Sequence, residues 1–245
     1  MTVNFTTWKG ITDGQKYDIP DDAELYYLLG SRSDNTVVES VQQATGTSQG
    51  STNVPDSNFP EGYREDGDGD SDYIVVENGV GWHQFLSEHF DAFTIEFSFK
   101  TTTTNDGFFF GVETGEQETF RSQINLDSGE LALSASSGDF NAVKTDGANI
   151  NDGDEHIAHL KKVGEDESEW EIAIDGSDVS VSVESTGNSD SWDGGATDDF
   201  YILAGSAGQE LGRWIDASMG HLAAFPSVLG ESRIADRYQS MPFSE

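Results

Sequence analysis

"DAFTIEFSFKT" occupies residues 91–101, and its reading decides the fold. Phe93, Ile95, Phe97 and Phe99 alternate with Thr94, Glu96, Ser98 and Lys100. In an extended chain successive side chains point to opposite faces, so the apolar set lines one face and the polar set the other. A helix would scatter the same aromatics around its circumference. The stretch predicts a half-buried strand.

The same period recurs along the chain. "GFFFGVE" (107–113) predicts a buried strand opening at a glycine, and "GELALSAS" (129–136) alternates with Leu131 and Leu133 inward. "EHIAHLKKV" (155–163), "EWEIAIDG" (169–176), "SDVSVSVES" (177–185) and "DFYILAGS" (199–206) continue the pattern. Clusters of Gly, Asp, Asn and Ser between them read as turns. Asp175-Gly176, set between two alternating runs, predicts a tight hairpin. Helices are expected only at "GESRIADRYQ" (230–239) and "GWHQFLSEHF" (81–90). The Ser/Thr/Asn/Gly-rich segment 41–62 reads as a long loop, and residues 1–20 as an N-terminal arm before a domain at 21–245. About a dozen short strands with almost no helix predict one all-β antiparallel sandwich, with a short helix near the C-terminus.

The 245 residues include 46 Asp and Glu against 12 Lys and Arg, a formal charge of −34. Aromatics make up 11%, with 15 Phe, which a disordered acidic tail would lack. The chain therefore folds and carries an acidic skin. A skin adapted to concentrated salt fits best, because self-repulsion is screened when the Debye length falls to roughly 3 Å near 1 M salt. A nucleic-acid mimic would hold its charge in a block, and a dedicated calcium binder would concentrate it in loops. No basic stripe exists to replace counterions, so nucleic-acid binding is not expected. There is no Cys, which removes disulfides and thiol chemistry. "MTVNFTTWKG" has neither a basic region nor an apolar run, so no secretory signal is expected there. No stretch approaches the ~18 apolar residues of a membrane span.

"REDGDGDSDYIVVENG" (64–79) places Asp66, Asp68, Asp70 and Asp72 at alternate positions, with Glu77 further on. Asp66, Asp68, Asp70 and Glu77 match four positions of an EF-hand loop, but Ser71 stands where its turn glycine belongs and no helices flank it. The EF-hand is rejected. The four Asp remain a candidate Ca2+ site, weighed against a hydrated acidic turn.

The order of these pieces resembles a laminin-G-like domain of the concanavalin-A-like lectin/glucanase superfamily. "AELYYLLG" (23–30), the segment 41–62, "DSDYIVVENG" (70–79) and "DAFTIEFSFKT" follow the family's opening strand, variable loop, Asp-rich turn and F-T-I-E-F-type strand. "NDGDEHIAHLKK" (151–162), "WEIAIDG" (170–176) and "MGHLAAFPSVLGESRIADRY" (219–238) match later pieces, with Gly220 and His221 where an acidic pair usually stands. The resemblance covers about residues 21–240. It implies a two-sheet jelly roll used mostly for binding glycans or proteins, while some relatives are glycosidases and some hold calcium at the rim.

No strand carries the alternating carboxylate array of the glucanase relatives. Glu169, Glu171 and Asp175 read as strand surface and turn, so no enzyme activity is expected. His156 and His159 project to opposite faces of one strand and cannot chelate a metal together. Trp82, Trp192 and Trp214 lie beside Gly, Ser or Asp, where an aromatic face can stack on a sugar; the competing reading makes them plugs at the ends of the sandwich. Trp170 starts a strand and reads as core. Phe5, Trp8 and Ile11 in the arm form an apolar cluster suited to docking on an assembly partner.

A lectin-like jelly roll without an export signal fits a virion component of a halophilic host: made in the cytoplasm, displayed on the particle, homo-oligomeric, and facing other virion proteins and host-surface glycans. The alternative is a cellular carbohydrate-binding module. The acidic skin carries its own test. The unfolding midpoint should rise steadily between dilute buffer and molar KCl, and equal stability in both would remove the salt-adapted reading.

Overall fold

Alternation becomes two antiparallel sheets in the computed structural model. It describes residues 20–244 apart from 30–35, 39–44, 60–61, 115–117, 125–128, 138–140, 187–190, 194–195 and 208–209. Phe5, Trp8, Ile11 and all of the arm except Pro20 lie outside the described residues. In chain order the first strands are β1 (Leu25–Leu28), β2 (Thr36–Val38), β3 (Thr45–Gln49), β4 (Thr52–Pro55), β5 (Tyr63–Asp68) and β6 (Tyr73–Val76). Helix α1 (Trp82–His89) precedes β7 (Ala92–Thr101), β8 (Gly107–Glu113), β9 (Glu118–Ile124), β10 (Leu131–Ser137), β11 (Ala142–Thr145) and β12 (Glu155–Val163). Then come β13 (Glu171–Ile174), β14 (Ser177–Val179), β15 (Val181–Ser185), β16 (Phe200–Ile202), β17 (Gly205–Ala207), β18 (Glu210–Gly212), β19 (Asp216–Phe225) and α2 (Glu231–Gln239).

One sheet runs β14-β13-β12-β7-β19-β5-β4, with β1 completing the β19 edge beyond β5. The other runs β15-β11-β10-β9-β8-β16-β6-β3-β2, and β17-β18 is a separate hairpin. The expected jelly-roll sandwich is the observed fold. Between the sheets Phe97, Phe99, Phe109, Phe110, Phe120 and Phe200 form an aromatic core. Each large apolar side chain buried there contributes roughly 1.5–3 kcal/mol. Helix α1 closes it with Trp82, Phe85 and Leu86, which share one face at helical spacing.

Three expectations change. Segment 41–62 holds β3 and β4 rather than a structureless loop. The inward positions of β3 are Gly46 and Ser48, small because a Cβ at Gly46 would stand 2.7 Å from Ile74, so no apolar alternation marks the strand. "SDVSVSVES" is two strands: β14 edges the first sheet and β15 the second, with the chain crossing at Ser180. The Asp175-Gly176 hairpin stands as expected, with φ of 50° and 81°.

The third change concerns β7, which is buried on both faces; Thr94, Glu96 and Ser98 are as inaccessible as the phenylalanines. Helix α2 covers this second face, where Tyr26, Ile157, Ala223, Phe225 and Ile234 form a smaller core. Inside that layer Glu96 receives Nε2 of His159 (2.9 Å) and of His221 (2.8 Å), plus Nε (2.9 Å) and Nη2 (2.5 Å) of Arg237 from α2. Each carboxylate oxygen accepts two hydrogen bonds, so every donor bonds to a charged acceptor. His221 Nδ1 shares a hydrogen bond with the Ser98 hydroxyl (2.8 Å), and Tyr26 stacks on the His221 ring.

Burial alone would raise the Glu96 pKa, but the hydrogen bonds and charge of His159 and His221 prevail and hold it at about 2. Desolvation lowers Arg237 to about 10, still cationic at neutral pH. A depressed carboxylate pKa contributes stability above the unfolded-state value of 4.5 and loses it as pH falls toward 2. That window corresponds to about 3 kcal/mol. Urea unfolding in molar KCl should therefore weaken between those pH values in the wild type. Glu96→Ala, which strands Arg237 in the interior, should lose about 3–5 kcal/mol at neutral pH. A Glu96→Ala protein of wild-type stability would show that the cluster carries no such weight.

Candidate functional site

At the end of the sandwich where β19 begins, three connections meet: the acidic turn between β5 and β6, the β7–β8 loop, and the segment Arg213–Ile215 that feeds β19. β5 turns outward Arg64, Asp66 and Asp68 across from the start of β19, with Asp216 opposite Asp68 and Ser218 opposite Asp66. An open hollow of about 290 Å³ lies here. Its floor is Gly67, Ala217 and Ser218, and its walls are Arg64, Asp66, Lys100, Thr101, Thr102 and Asp216.

The two cations of the hollow are paired in place. Arg64 donates through Nε to Asp66 (2.8 Å) and through Nη1 to Asp56. Lys100 donates to Glu155 (2.8 Å), which also accepts from Asn58 (3.2 Å). Burial works to raise Glu155, but these hydrogen bonds prevail and hold its pKa below the usual range. A general acid for glycoside cleavage needs the opposite displacement. The strand carboxylates considered above are likewise engaged: Glu171 with Lys161 (2.5 Å), and Asp175 with the His156 ring (2.8 Å) and the Ile157 N–H (3.0 Å).

The acidic turn does not form a four-carboxylate cage. Asp68 Oδ1 accepts the backbone N–H groups of Asp70 (2.9 Å), Ser71 (2.9 Å) and Asp72 (3.0 Å). Its side chain thus caps the turn, and the backbone hydrogen bond from Ser71, then that from Asp70, lowers its pKa. Asp72 is raised by desolvation and by the charge of Asp68. Of the four residues expected as a Ca2+ site, Asp66 is thus engaged by Arg64 and Asp68 by the turn's own backbone. Among the described residues, no three of these four bring ligand atoms within 4.8 Å of one another.

The tryptophans separate. Trp82 is fully buried, stacked on Phe200 with ring centroids 4.1 Å apart. Trp192 is 5% exposed, donates through Nε1 to His83 Nδ1 (3.2 Å) and lies parallel to that ring. Both are plugs of the sandwich, not sugar platforms, because their faces are already covered by aromatic neighbours. Trp170 is core as expected, with the Lys162 ammonium 5.3 Å from its ring centroid. Trp214 is half-buried at the rim, two residues before Asp216 of the hollow, and its enclosed Nε1 has no partner among the described residues.

The backbone around Trp214 is unusual. Arg213 (φ 57°) and Leu203 (φ 64°) both occupy the left-handed region without being glycine or asparagine. Phe108 N–H bonds to the Arg213 carbonyl (2.9 Å), Ile215 N–H to that of Leu203 (3.2 Å), and Leu203 N–H to that of Phe109 (2.7 Å). These bonds clamp the segment. Such residues cost of order 1–3 kcal/mol each and persist where the surroundings fix them, often at functional sites. Arg213 also pairs with Asp106 (3.0 Å), and the Arg121 guanidinium lies over the Phe108 ring at 4.8 Å. Sequence reading selected Trp214 but missed Arg64, Lys100, Asp106 and Arg213, since scattered charges of a β protein carry no period that marks them.

No protein-family model and no curated protein sequence matches the chain. Solved structures do. The receptor-binding domain of a botulinum neurotoxin C/D mosaic superposes with a TM-score of 0.59 at 12% identity, over 89% of this chain and 51% of that one. A botulinum neurotoxin type C structure, whose cell entry depends on interaction with two ganglioside molecules, gives 0.63 at 12% identity over 89% and 51%. Trypanosoma rangeli sialidase in complex with sialic acid gives 0.60 at 12% identity, over 91% of this chain and 34% of that one. The chain thus spans about a third to a half of these proteins. The likeness is one of fold alone: a two-sheet jelly roll.

The turn yields a direct test. Asp68→Ala removes the acceptor of three backbone donors and should cost about 1–2 kcal/mol, as the loss of a helix cap does. Asp72→Asn removes an unfavourably placed charge and should leave the melting temperature equal or higher. A Ca2+-dependent rise in the wild-type melting temperature that disappears in Asp70→Asn would restore the ion site.

Proposed function

We propose that this chain is a non-catalytic, glycan-recognising module displayed on the surface of a virus particle of a halophilic host, with the Trp214 rim and the adjoining hollow as its binding face. The observation that carries the reading is the clamped left-handed backbone at Leu203 and Arg213, which fixes the half-buried Trp214 two residues before Asp216, a wall of a hollow lined by both donors and acceptors. Sugar recognition asks for an aromatic face and a ring of fixed polar groups. In the hollow Arg64 and Lys100 offer donors and Asp66 and Asp216 offer acceptors, Arg213 adds a donor next to Trp214, and ion pairs hold the three cations before a ligand arrives. Such preorganisation reduces the ordering cost of binding.

The paired carboxylates of the hollow support binding rather than turnover, and the chain's −34 charge supports a working environment of concentrated salt. The fold-level likeness to proteins described with gangliosides and sialic acid supports glycans as the ligand class, by analogy of architecture alone. Display on a particle would combine a lectin-like fold with salt adaptation and presentation in many copies.

The test is a glycan array probed with labelled full-length chain in molar KCl. Trp214→Ala should weaken the strongest hit at least about tenfold, a loss of ~1.4 kcal/mol, with an unchanged melting temperature. An array silent at every concentration, or a Trp214→Ala protein that binds as the wild type does, would reject the site. Mass spectrometry of purified particles tests the display: absence of the chain rejects the virion reading and leaves a cellular carbohydrate-binding module. Release of reducing sugar from β-glucans that a carboxylate substitution abolishes would make it a hydrolase.

A further inference from the structure

We infer that Glu24, Glu88 and His89 form a binding site for a first-row divalent cation of the zinc type. Glu24 lies just before β1, whereas Glu88 and His89 end helix α1. One ligand atom from each falls within 4.8 Å of the other two. His89 Nε2 stands 2.9 Å from Glu24 Oε2 and 4.0 Å from Glu88 Oε2. Donors bound at about 2.0–2.2 Å around a tetrahedral ion lie about 3.4 Å apart, so small side-chain rotations bring all three into place.

One imidazole nitrogen and two carboxylate oxygens suit zinc, manganese or cobalt better than magnesium, which prefers oxygen ligands and retained water. The surroundings already orient the ligands. Gln84, one turn earlier in α1, donates to Glu88 Oε1 (2.8 Å), leaving Oε2 toward His89. Phe85 packs on the His89 ring with centroids 5.3 Å apart. Such outer partners fix ligand geometry in metal sites. The His89–Glu24 hydrogen bond holds the pocket together without an ion, and a bound cation replaces it with two bonds to metal.

Three protein ligands leave a fourth position for water. The site is separate from the binding rim. Glu24 donates its backbone N–H to Ala224 near the far end of β19, whereas the hollow ends at Ser218. At ~3.4 Å per residue the two are about 20 Å apart along the strand. A cation here would staple α1 to the edge where β1 joins β19.

The experiment is titration of EDTA-treated, tag-free chain with ZnCl₂ in molar KCl containing excess Mg²⁺, which occupies the general acidic surface. One saturable site per chain and a higher melting temperature are expected. His89→Gln should abolish the site, Glu24→Gln should weaken it at least tenfold, and Gln84→Ala should weaken it about tenfold while leaving the metal-free melting temperature unchanged. Glu169→Gln, an exposed carboxylate elsewhere, should bind as the wild type does. Equal zinc binding in His89→Gln and wild type, or no saturable binding above the Mg²⁺ background, overturns the inference.

Discussion

The structure depends on one buried negative charge. Glu96 sits at the middle of β7, between β12 and β19, beneath α2, and it bonds to a side chain from each of those three neighbours. A carboxylate so placed would be prohibitive in free energy if left alone. Surrounded by Arg237, His159 and His221, it becomes a connector whose geometry fixes strand register and helix position together. Apolar contacts such as Ile234 on Ala223 and Phe225 can slide; a four-bonded carboxylate cannot. Buried ion pairs are weak evidence for net stability but good evidence that separating their members is costly.

This use of charge also resolves the tension in the composition. With 46 acidic residues against 12 basic ones, cations are scarce, and several are spent inside or half inside. Arg237 serves Glu96, Lys161 is held by Glu171 and Asp178, and Lys162 lies between the rings of Phe90 and Trp170. The inside is neutralised while the outside stays strongly negative. Salt must then screen surface repulsion only, because the internal pairs are shielded from it by burial.

The legible part of the fold was the part with a period. Alternation located β7, β8, β10, β12 and β13, and Asp175-Gly176 marked its hairpin because few sequences tolerate two successive positive φ angles. What was illegible lacked local signal. Ser98 and Glu96 look solvent-facing until α2, more than 130 residues later, is known to lie over them. His221, on the adjacent strand and 125 residues from Glu96, bonds to that carboxylate, a pairing that no local pattern announces. β3 hid because its inward side chains had to be small, and Trp82 misled because a ring beside glycine suggested exposure, whereas the helix expected at 81–90 drives the indole inward.

The candidate site was read in fragments for the same reason. Trp214 and the acidic turn are some 140 residues apart in sequence, yet antiparallel pairing of β5 with β19 sets them at one end of the sandwich. The turn contributes shape: Asp68 uses its oxygens on its own backbone, which keeps the turn tight enough for β6 to leave toward the opposite sheet. The rim can hold two left-handed non-glycine residues because the rest of β19 is pinned further along, by β7 on one side and β1 on the other, and through His221 by Glu96. Stability concentrated at the covered face thus permits strain at the open end, where the clamped backbone carries the half-buried Trp214.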